Sequence, residues 1–385
     1  MPTVFQEERS APALQRGSAA FALPVETRAA ARQAFLITAG ALVWLGNLFF
    51  PIAPAVALDP SWQWVLNHAA TTDYVFGHDV VYTYGPWGWL TTQYYHPPTF
   101  LSRLAWEYAF KALCAALVVL ASTGLSRPRR VTWLGASLVL PPLFQDTFPM
   151  LVIGGTAVWI ARARPGAGAT LLVGALSGFL ALQKFSYLLA AASVLAPVAV
   201  QLMLQRRWPT LGALATSVFG VFVSGWLAAG QPLGALPNFL QRAAWVSVDY
   251  TDAMGFEESA EVFGCGVGVA SLFLLLIWDR PRWRSLPLTL ALTCMGFLSW
   301  KHGFVRADGH TMGFFFLMAF AAIAAPWLNP SATWRRTFLS ALLGVLSLAG
   351  AAIANPELPA IVARSVREYL PAKAHAALNV SQLYV

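Results

Sequence analysis

Long apolar segments separated by short polar turns run through most of the 385-residue chain. A helix that crosses a bilayer needs about 20 mostly apolar residues. By this measure, with some shorter runs counted, the pattern predicts about eleven membrane-crossing helices. They are residues 34–56, 104–122, 131–144, 148–161, 169–182, 187–204, 211–229, 262–278, 286–300, 312–328 and 338–354. The chain is therefore predicted to be an all-α polytopic membrane protein.

Basic residues at the ends of these segments predict their orientation. Arginines cluster after every second segment, for example at residues 127–130 and 335–336. Cytoplasmic loops carry an excess of Lys and Arg. We therefore predict a multi-pass protein of the bacterial inner membrane with a cytoplasmic N-terminal tail (residues 1–33), a transmembrane domain (34–354) and a short periplasmic C-terminal segment (355–385).

In this topology every lysine and all six histidines lie at or near the periplasmic side. Most of the carboxylates lie there too, many of them in three predicted loops at residues 57–103, 229–261 and 301–311. The positive-inside rule does not account for these residues, because it concerns the cytoplasmic side. The sequence therefore predicts chemistry at the periplasmic face.

The composition excludes several classes of protein. With 57% hydrophobic and 11% charged residues, the chain is not a soluble domain. Its net charge of +8 comes mostly from arginines at helix ends, so we predict membrane lipids and no nucleic acid as partners. The three cysteines lie in apolar stretches without disulfide or zinc spacing.

The loop after the first segment is the densest in polar and aromatic residues. Asp59 followed by Pro60 is typical of a helix start, with Asp as the N-cap. Trp62 and Leu66 share a face of this predicted helix, which suits a helix lying in the membrane interface. Asp79 follows in a second polar stretch of the loop. Both carboxylates also have simple structural interpretations, Asp59 as a helix cap and Asp79 as a solvated turn residue.

Two ionisable residues lie at the tips of hairpins with short arms. Asp146 is at one tip and Lys184 at the next. A charge recessed below the membrane surface is costly unless it faces water or a partner. Both residues are candidates for substrate binding. Glu107 and Lys111, four residues apart in the second span, are instead predicted to form a structural ion pair.

The segment from residue 301 to 310 concentrates charged residues and histidines. It contains Lys301, His302, Arg306, Asp308 and His310. Lysine provides a compact charge and arginine a planar fork, and both suit phosphate binding. The segment is therefore a candidate substrate-binding site for a phosphate group. The alternative is a solvated turn with extra charge.

The layout of the chain resembles the GT-C superfamily of integral-membrane glycosyltransferases. The shared features are Asp59 directly after the first span, interfacial helices in the first periplasmic loop, and many later spans with basic outer loops. The resemblance implies a GT-C-like fold and transfer of a hexose or pentose, with inversion, from a polyprenyl-phosphate-sugar donor to a glycan, lipid or protein acceptor. It places Asp59 as the catalytic general base and Asp79 as a second catalytic acid.

The same chemistry is consistent with the residues. A lipid phosphate is a good leaving group whose charge needs neutralising, which cations in a site of low dielectric constant can do. The acceptor hydroxyl needs a carboxylate within hydrogen-bond reach. The loop contains no adjacent Asp-Asp or Asp-Glu pair. A divalent cation, Mg or Mn, is therefore an open cofactor assignment, with Asp59, Asp79 and Asp146 as the candidate metal ligands.

Two other functions remain open from the sequence. A transporter or flippase for a lipid-linked or anionic solute would have ionisable groups near the midplane of the bilayer and broken helices in matching halves. A ligase or polymerase of surface polysaccharide would place its site in a large late loop, and residues 229–261 provide one.

Overall fold

The structure is a computed structural model that describes residues 25–163, 165–255, 257–279, 286–305, 309–328 and 333–379. The chain divides into two units, Met1–Thr38 and Ala39–Val385. The described part of the first unit is the start of helix α1. The second unit contains the rest of α1 and the other described helices.

The described chain is helical, with isolated bridges and no strand elements among these residues. Its helices are α1 (Val25–Gly46), α2 (Leu58–Ala69), α3 (Phe100–Ser122), α4 (Arg127–Val139), α5 (Thr147–Ala163), α6 (Ala167–Ala181), α7 (Phe185–Leu204), α8 (Trp208–Ala228), α9 (Leu236–Met254), α10 (Ala260–Trp278), α11 (Leu286–Phe304), α12 (His310–Ile323), α13 (Ala325–Leu328), α14 (Trp334–Ala354), α15 (Leu358–Arg364) and α16 (Leu370–Leu378). Short 3-10 turns occupy Gly88–Thr91, Pro97–Thr99, Pro141–Leu143 and Leu233–Ala235, and a π-helical turn occupies Ser365–Tyr369.

Six stretches of described helix are long and apolar enough to cross a membrane. They are Ala29–Gly46, Pro97–Ser122, Phe185–Leu204, Trp208–Ala228, Ala260–Trp278 and Trp334–Ala354. Helices α5, α6 and α12 are apolar but shorter. The fold therefore agrees with the prediction of an all-α polytopic membrane protein. Each predicted apolar segment overlaps a helix, while the number of spans, eleven, remains a prediction.

The first predicted span, residues 34–56, is wrong at its C-terminal end. Helix α1 ends at Gly46. The residues that follow include Pro51 and Pro54, and proline disfavours helix both at its own position and at the residue before it. The chain runs extended instead, with the Ile52 amide donating to the Gln93 carbonyl at 2.8 Å. Residues 47–57 thus belong structurally with the first loop.

Helix α2 begins two residues earlier than the Asp-Pro pattern predicts. Its N-cap is Ala57, which makes no side-chain cap. Asp59 lies in the first turn, where a negative charge interacts favourably with the helix dipole. Its carboxylate is therefore not used as a cap. Leu66 is buried beneath the helix, whereas Val65 is exposed.

Helices α5, α7, α11, α12 and α14 contribute to the main core of the second unit, together with residues of α3, α4, α6 and α10. Helix α7 packs against α5 and α11, and α12 packs against α11 and α14. Phe314, Phe315 and Phe316, near the middle of α12, are all buried. These contacts fix the ends of α5, α7 and α11 relative to one another.

A second, smaller core lies under the first loop. It joins Leu66 and Phe76 of the loop region to Trp226 of α8 and Phe239 of α9. The amide side chain of Gln231 connects the same parts, because its oxygen accepts the Phe76 N–H at 2.8 Å. The first loop is therefore a folded platform and not a loose connector. We call the end of the bundle that carries this platform the loop end.

Arginines anchor helices at the other end, which we call the arginine end. Arg129 donates to the Ile323 carbonyl at 2.9 Å, and Arg207 donates to the Ile160 carbonyl at 3.0 Å. Both carbonyls lie near helix C-termini, where cations are favourable. Arg336 pairs with Asp279 at 2.7 Å. These predicted topology residues thus also hold neighbouring helices together.

Candidate functional site

Asp146 is the centre of a buried polar cluster at the loop end. Its Oδ2 atom accepts from the Lys184 ammonium at 2.5 Å and lies 2.9 Å from His302 Nε2. Its Oδ1 atom accepts from the Tyr187 hydroxyl. The Asp146 and Lys184 side chains are only 14% and 13% exposed. We call these four residues the Asp146 cluster. The sequence predicted that the charges of Asp146 and Lys184, at two hairpin tips, each need a partner. In the structure these two residues pair with each other.

Three packed helices bring the cluster together. Asp146 immediately precedes α5, Lys184 is the N-cap residue of α7, and His302 lies in the last turn of α11. Tyr187 follows Lys184 by three positions, so both side chains lie on the same face of the first turn of α7. The residues meet because α7 packs against both α5 and α11.

The cluster contains an ionised pair. Burial by itself favours a higher pKa for Asp146, but the Lys184 ammonium and the hydrogen bond from His302 hold that pKa well below its usual value. Burial likewise favours a lower pKa for Lys184, and the Asp146 carboxylate outweighs it and raises that pKa. Because an ionised carboxylate only accepts, His302 Nε2 carries the proton it shares with Asp146.

A second histidine lies beside the cluster. His310 begins α12, and its ring centroid is 5.4 Å from that of His302. Phe144 packs against both rings, at 5.8 Å from His302 and 5.5 Å from His310. The structure therefore brings together Asp146, Lys184, His302 and His310, four of the predicted substrate-binding residues.

The first loop reaches this cluster through backbone hydrogen bonds. The Phe185 N–H donates to the Thr83 carbonyl at 2.7 Å, and the Gly85 N–H donates to the Gln183 carbonyl at 3.1 Å. These bonds bring the Tyr84 ring against Lys184, whose Nζ atom is 5.2 Å from the ring centroid. Position 85 needs glycine, since a Cβ atom there would overlap the Leu182 carbonyl oxygen.

A row of aromatic rings connects the cluster to Asp59. The Tyr84 ring lies 4.8 Å from Trp62 and stacks on Tyr82 at 5.6 Å. The Trp62 indole N–H donates to Asp59 Oδ1 at 3.0 Å. Burial raises the pKa of Tyr82 and of Tyr84, so both hydroxyls stay protonated at neutral pH. We call Trp62, Tyr82 and Tyr84 the aromatic row. Asp59 is exposed at its outer end.

Asp79, the second predicted catalytic acid, holds a tight turn. It accepts the Val75 N–H at 2.9 Å and the His78 ring N–H at 2.7 Å. These two bonds lower its pKa, the backbone bond from Val75 most strongly. Gly77 in the same turn has φ of 87°, in the left-handed region that favours glycine. Both partners of Asp79 thus belong to its own turn, and its catalytic role remains a prediction.

The predicted phosphate-binding residues are described only in part. Lys301 is exposed in the last turn of α11. It is next to His302, and successive helical residues are rotated by about 100°, so its side chain leaves the helix in a different direction from the cluster. Arg306 and Asp308 lie outside the described residues. The phosphate-binding role of this segment therefore remains a prediction.

Tyr187, Tyr84 and Trp62 belong to the site although the sequence analysis did not propose them as site residues. Tyr187 was within reach of sequence reasoning, because it lies three residues after Lys184 at a helix start. The contact of Tyr84 with Lys184 joins positions 100 residues apart in sequence. No local pattern predicts that contact.

The donor set around Asp146 does not fit a divalent cation. Both carboxylate oxygens already accept hydrogen bonds, and the Lys184 ammonium occupies a position that a metal ion would take. No group of three metal-ligating side chains is found in the described part of the chain. Asp59 and Asp79 bond to different neighbours, Trp62 and the Val75–Val80 turn. A divalent cation as cofactor therefore remains a prediction.

Comparisons with family models, with characterised proteins and with solved structures find no match to this chain. The site combines an exposed carboxylate, a row of aromatic faces and a buried ion pair at one end of a helical bundle. Such a site can deprotonate a hydroxyl and hold a ring against the aromatic faces.

Proposed function

We propose that the chain is an integral-membrane glycosyltransferase of GT-C type that uses a polyprenyl-phosphate-sugar donor. Asp59 is its general base. The observation that carries the proposal is the connection of the exposed Asp59 carboxylate, through the aromatic row, to the buried Asp146–Lys184 pair. A base and a buried ion pair are thus connected by one row of aromatic side chains.

The proposed reaction is a single displacement. The acceptor hydroxyl gives its proton to the Asp59 carboxylate while its oxygen bonds to the anomeric carbon. The bond from that carbon to the phosphate oxygen breaks, and the phosphate leaves with the electron pair. The configuration at the anomeric carbon is inverted. No acid is needed at the leaving oxygen, since a phosphate is already a good leaving group.

The aromatic row suits a sugar ring. Aromatic side chains offer large rigid faces with polar tips, and Tyr82 and Tyr84 keep their hydroxyl protons at neutral pH. The Trp62 indole also orients the Asp59 carboxylate by its hydrogen bond. In the proposal the sugar lies against this row, with its acceptor-facing side towards Asp59.

The phosphate of the donor is assigned to cations other than Lys184. The Lys184 charge is balanced by Asp146 at 2.5 Å. The phosphate is therefore assigned to Lys301, an exposed cation next to His302 in sequence, and to Arg306, which lies outside the described residues. In the proposal the Asp146 cluster positions Tyr84 and His310, because Lys184 lies against Tyr84 and His302 lies against His310. The acceptor is a glycan, a lipid or a protein at the periplasmic face of the inner membrane.

Replacing Asp59 by Asn tests the proposal, because it removes the base and retains the side-chain shape. We expect transfer from a synthetic polyprenyl-phosphate hexose or pentose to fall by about 100-fold or more. The assay measures released polyprenyl phosphate in native membranes, which supply the acceptor. The matched control is Asp73→Asn, an exposed carboxylate of the same loop, and it should keep full activity. Equal rates for the two variants would remove Asp59 from the mechanism.

One observation favours a second candidate, a transporter of an anionic solute. Ionisable residues in membrane-crossing helices often mark ion or proton pathways, and the Asp146 cluster with His310 gathers ionisable residues at the ends of such helices. Uptake of a labelled anionic solute into vesicles that carry the protein, with no release of polyprenyl phosphate from donor, would favour this alternative.

A further inference from the structure

A cavity of about 220 Å³ lies where the C-terminal helices fold against the end of α1 and the segment before α5. Most of its wall is apolar. The wall includes Phe49, Leu138, Leu143 and Leu370, with Ser365, Tyr369 and Lys373 as its polar side chains. No residue of the Asp146 cluster or of the aromatic row contributes to this wall. The cavity is therefore separate from the candidate active site.

Lys373 supplies a cation to the cavity. Its ammonium donates to the Gly46 carbonyl at 2.6 Å and lies 4.9 Å from the Phe49 ring centroid. The carbonyl uses one of its three N–H groups. Burial, and to a smaller extent the nearby Lys111, lower the pKa of Lys373 to about 8, although Glu107 opposes this. An ammonium in this position gains from a negative partner.

Lys111 is a second cation beside the same wall. It is only 6% exposed. Its Nζ atom lies 5.4 Å from the ring centroids of Phe49 and Phe148 and 5.7 Å from that of Phe110. Within the described part of the chain it makes no hydrogen bond and no ion pair. Ring faces compensate only part of the cost of burying an ammonium.

Glu107, the partner that the sequence predicted for Lys111, is engaged elsewhere. Its Oε1 atom accepts the Phe49 N–H at 2.9 Å, and its Oε2 atom lies 4.0 Å from the Arg103 guanidinium. The predicted structural pair with Lys111 is therefore wrong, because the backbone at Phe49 and a closer arginine compete for the carboxylate. Lys111 is therefore a buried cation beside the Phe49 ring, and this ring also lines the cavity.

We propose that this cavity binds an anionic phospholipid of the surrounding membrane. Its phosphate would bind at Lys373, the nearby charge of Lys111 at the same Phe49 ring would add to the positive potential, and an acyl chain would lie along the apolar wall. Charge complementarity favours an anion, and the apolar wall favours a lipid over free phosphate. Exposed Val366 and Tyr369 on the same C-terminal segment suit a segment that lies in the membrane interface.

The bound lipid would contact the segment that holds the active site. Leu143 lines the cavity, Phe144 packs on His302 and His310, and Asp146 follows within the same short stretch. Lipid binding would therefore steady the position of Asp146. This site stands whether or not the chain is a glycosyltransferase, since it uses neither Asp59 nor the aromatic row.

Native mass spectrometry of the full chain in detergent tests the site. Phosphatidylglycerol and phosphatidylcholine with the same acyl chains are added in turn, and retained lipid is counted. We expect wild-type protein to retain phosphatidylglycerol preferentially, and Lys373→Met to bind it about tenfold more weakly. Lys373→Arg keeps the charge and should restore binding. Arg367→Gln, which removes an exposed cation from the same segment, is the matched control and should bind normally.

Three results would overturn the inference. They are equal retention of the two lipids by the wild type, equal loss in Lys373→Met and Arg367→Gln, and competition by inorganic phosphate that abolishes the preference for the lipid. If Lys373→Met does not fold, Lys111→Met replaces it in the same comparison, because its side chain lies among rings that accept a thioether. Unchanged binding in that variant would also overturn the inference.

Discussion

At the scale of single residues, the main electrostatic feature of the loop end is the Asp146–Lys184 ion pair. Removing two charges from water costs free energy that their attraction offsets only when geometry is good and the remaining polar atoms are bonded. Here Tyr187 and His302 complete the bonding of the carboxylate. The four residues therefore stabilise one another. Loss of one of them leaves buried polar groups without a partner and lowers the free energy of unfolding.

Replacing Lys184 by Met should destabilise the fold by about 3–5 kcal/mol, because it leaves a buried carboxylate without its cation. The double variant Asp146→Asn with Lys184→Met should cost less than the sum of the two single changes. Thermal unfolding in detergent provides the measurement. Additive costs would mean that the two side chains do not interact in solution.

The charge of Lys373 gives the protein a pH dependence above neutrality. In the folded protein the pKa of Lys373 is about 8, below the usual value of 10.5. Below pH 8 the buried ammonium therefore lowers the free energy of unfolding. That free energy rises again between about pH 8 and pH 10.5, where the folded state has lost the proton and the unfolded state still holds it. Lys111 and Glu107 of α3 face the same ammonium. Loss of the Lys373 charge should also weaken the binding of an anionic lipid. Phosphatidylglycerol retention should fall between pH 7 and pH 9 in wild type but not in Lys373→Arg. The opposite trend would contradict the assignment.

At the scale of elements, the first loop behaves as a docked platform. Its backbone bonds to the α6–α7 connection, its side chains share a core with α8 and α9, and Gln231 joins the two. The position of Asp59 relative to Lys184 depends on this docking, because the aromatic row belongs to the loop. Activity should therefore be sensitive to changes that displace the loop without touching Asp59.

Gly85→Ala tests this dependence. The added Cβ would overlap the Leu182 carbonyl oxygen, which is backbone and cannot move aside cheaply. We expect a loss of roughly 1–3 kcal/mol in stability, faster proteolysis within the first loop and reduced transfer. Gly234→Ala, where a Cβ meets nothing within 4 Å, is the control. Full protection of the loop in Gly85→Ala would argue against docking.

At the scale of the whole molecule, the second unit has two chemically different ends. One carries arginines bonded to helix C-termini, and the other carries the Asp146 cluster, the first loop and the cavity beside Lys373. The positive-inside rule then predicts that the loop end faces the periplasm.

Cysteine labelling measures that orientation. In a chain whose Cys114, Cys265 and Cys294 are replaced by Ala, Thr72→Cys lies in the first loop and Thr123→Cys near the arginine end, and both positions are exposed. A maleimide that does not cross membranes should label Thr72→Cys in intact spheroplasts and Thr123→Cys only after permeabilisation. The reverse pattern would show that the predicted orientation is wrong.

The sequence by itself determined the helical class and the positions of most helices. Apolar runs of membrane length and the arginines beside them are local signals, and each predicted run overlaps a helix. The predicted C-terminal end of the first span, residue 56, is wrong because the apolar run continues past the end of α1 at Gly46 and includes Pro51 and Pro54. Asp146 and Lys184 were singled out for the same local reason, since a charge inside an apolar stretch requires compensation.

Only the tertiary structure decided which residues compensate one another. Asp146 meets Lys184 across 38 positions and His302 across 156, and Lys111 loses its helical neighbour Glu107 to Phe49 and Arg103. Spacing along a helix specifies which side chains are near each other locally, whereas pairing across helices depends on how the whole bundle packs. The candidate site and the cavity beside Lys373 therefore could not be predicted from the sequence, because each is built from helix ends that are distant in sequence.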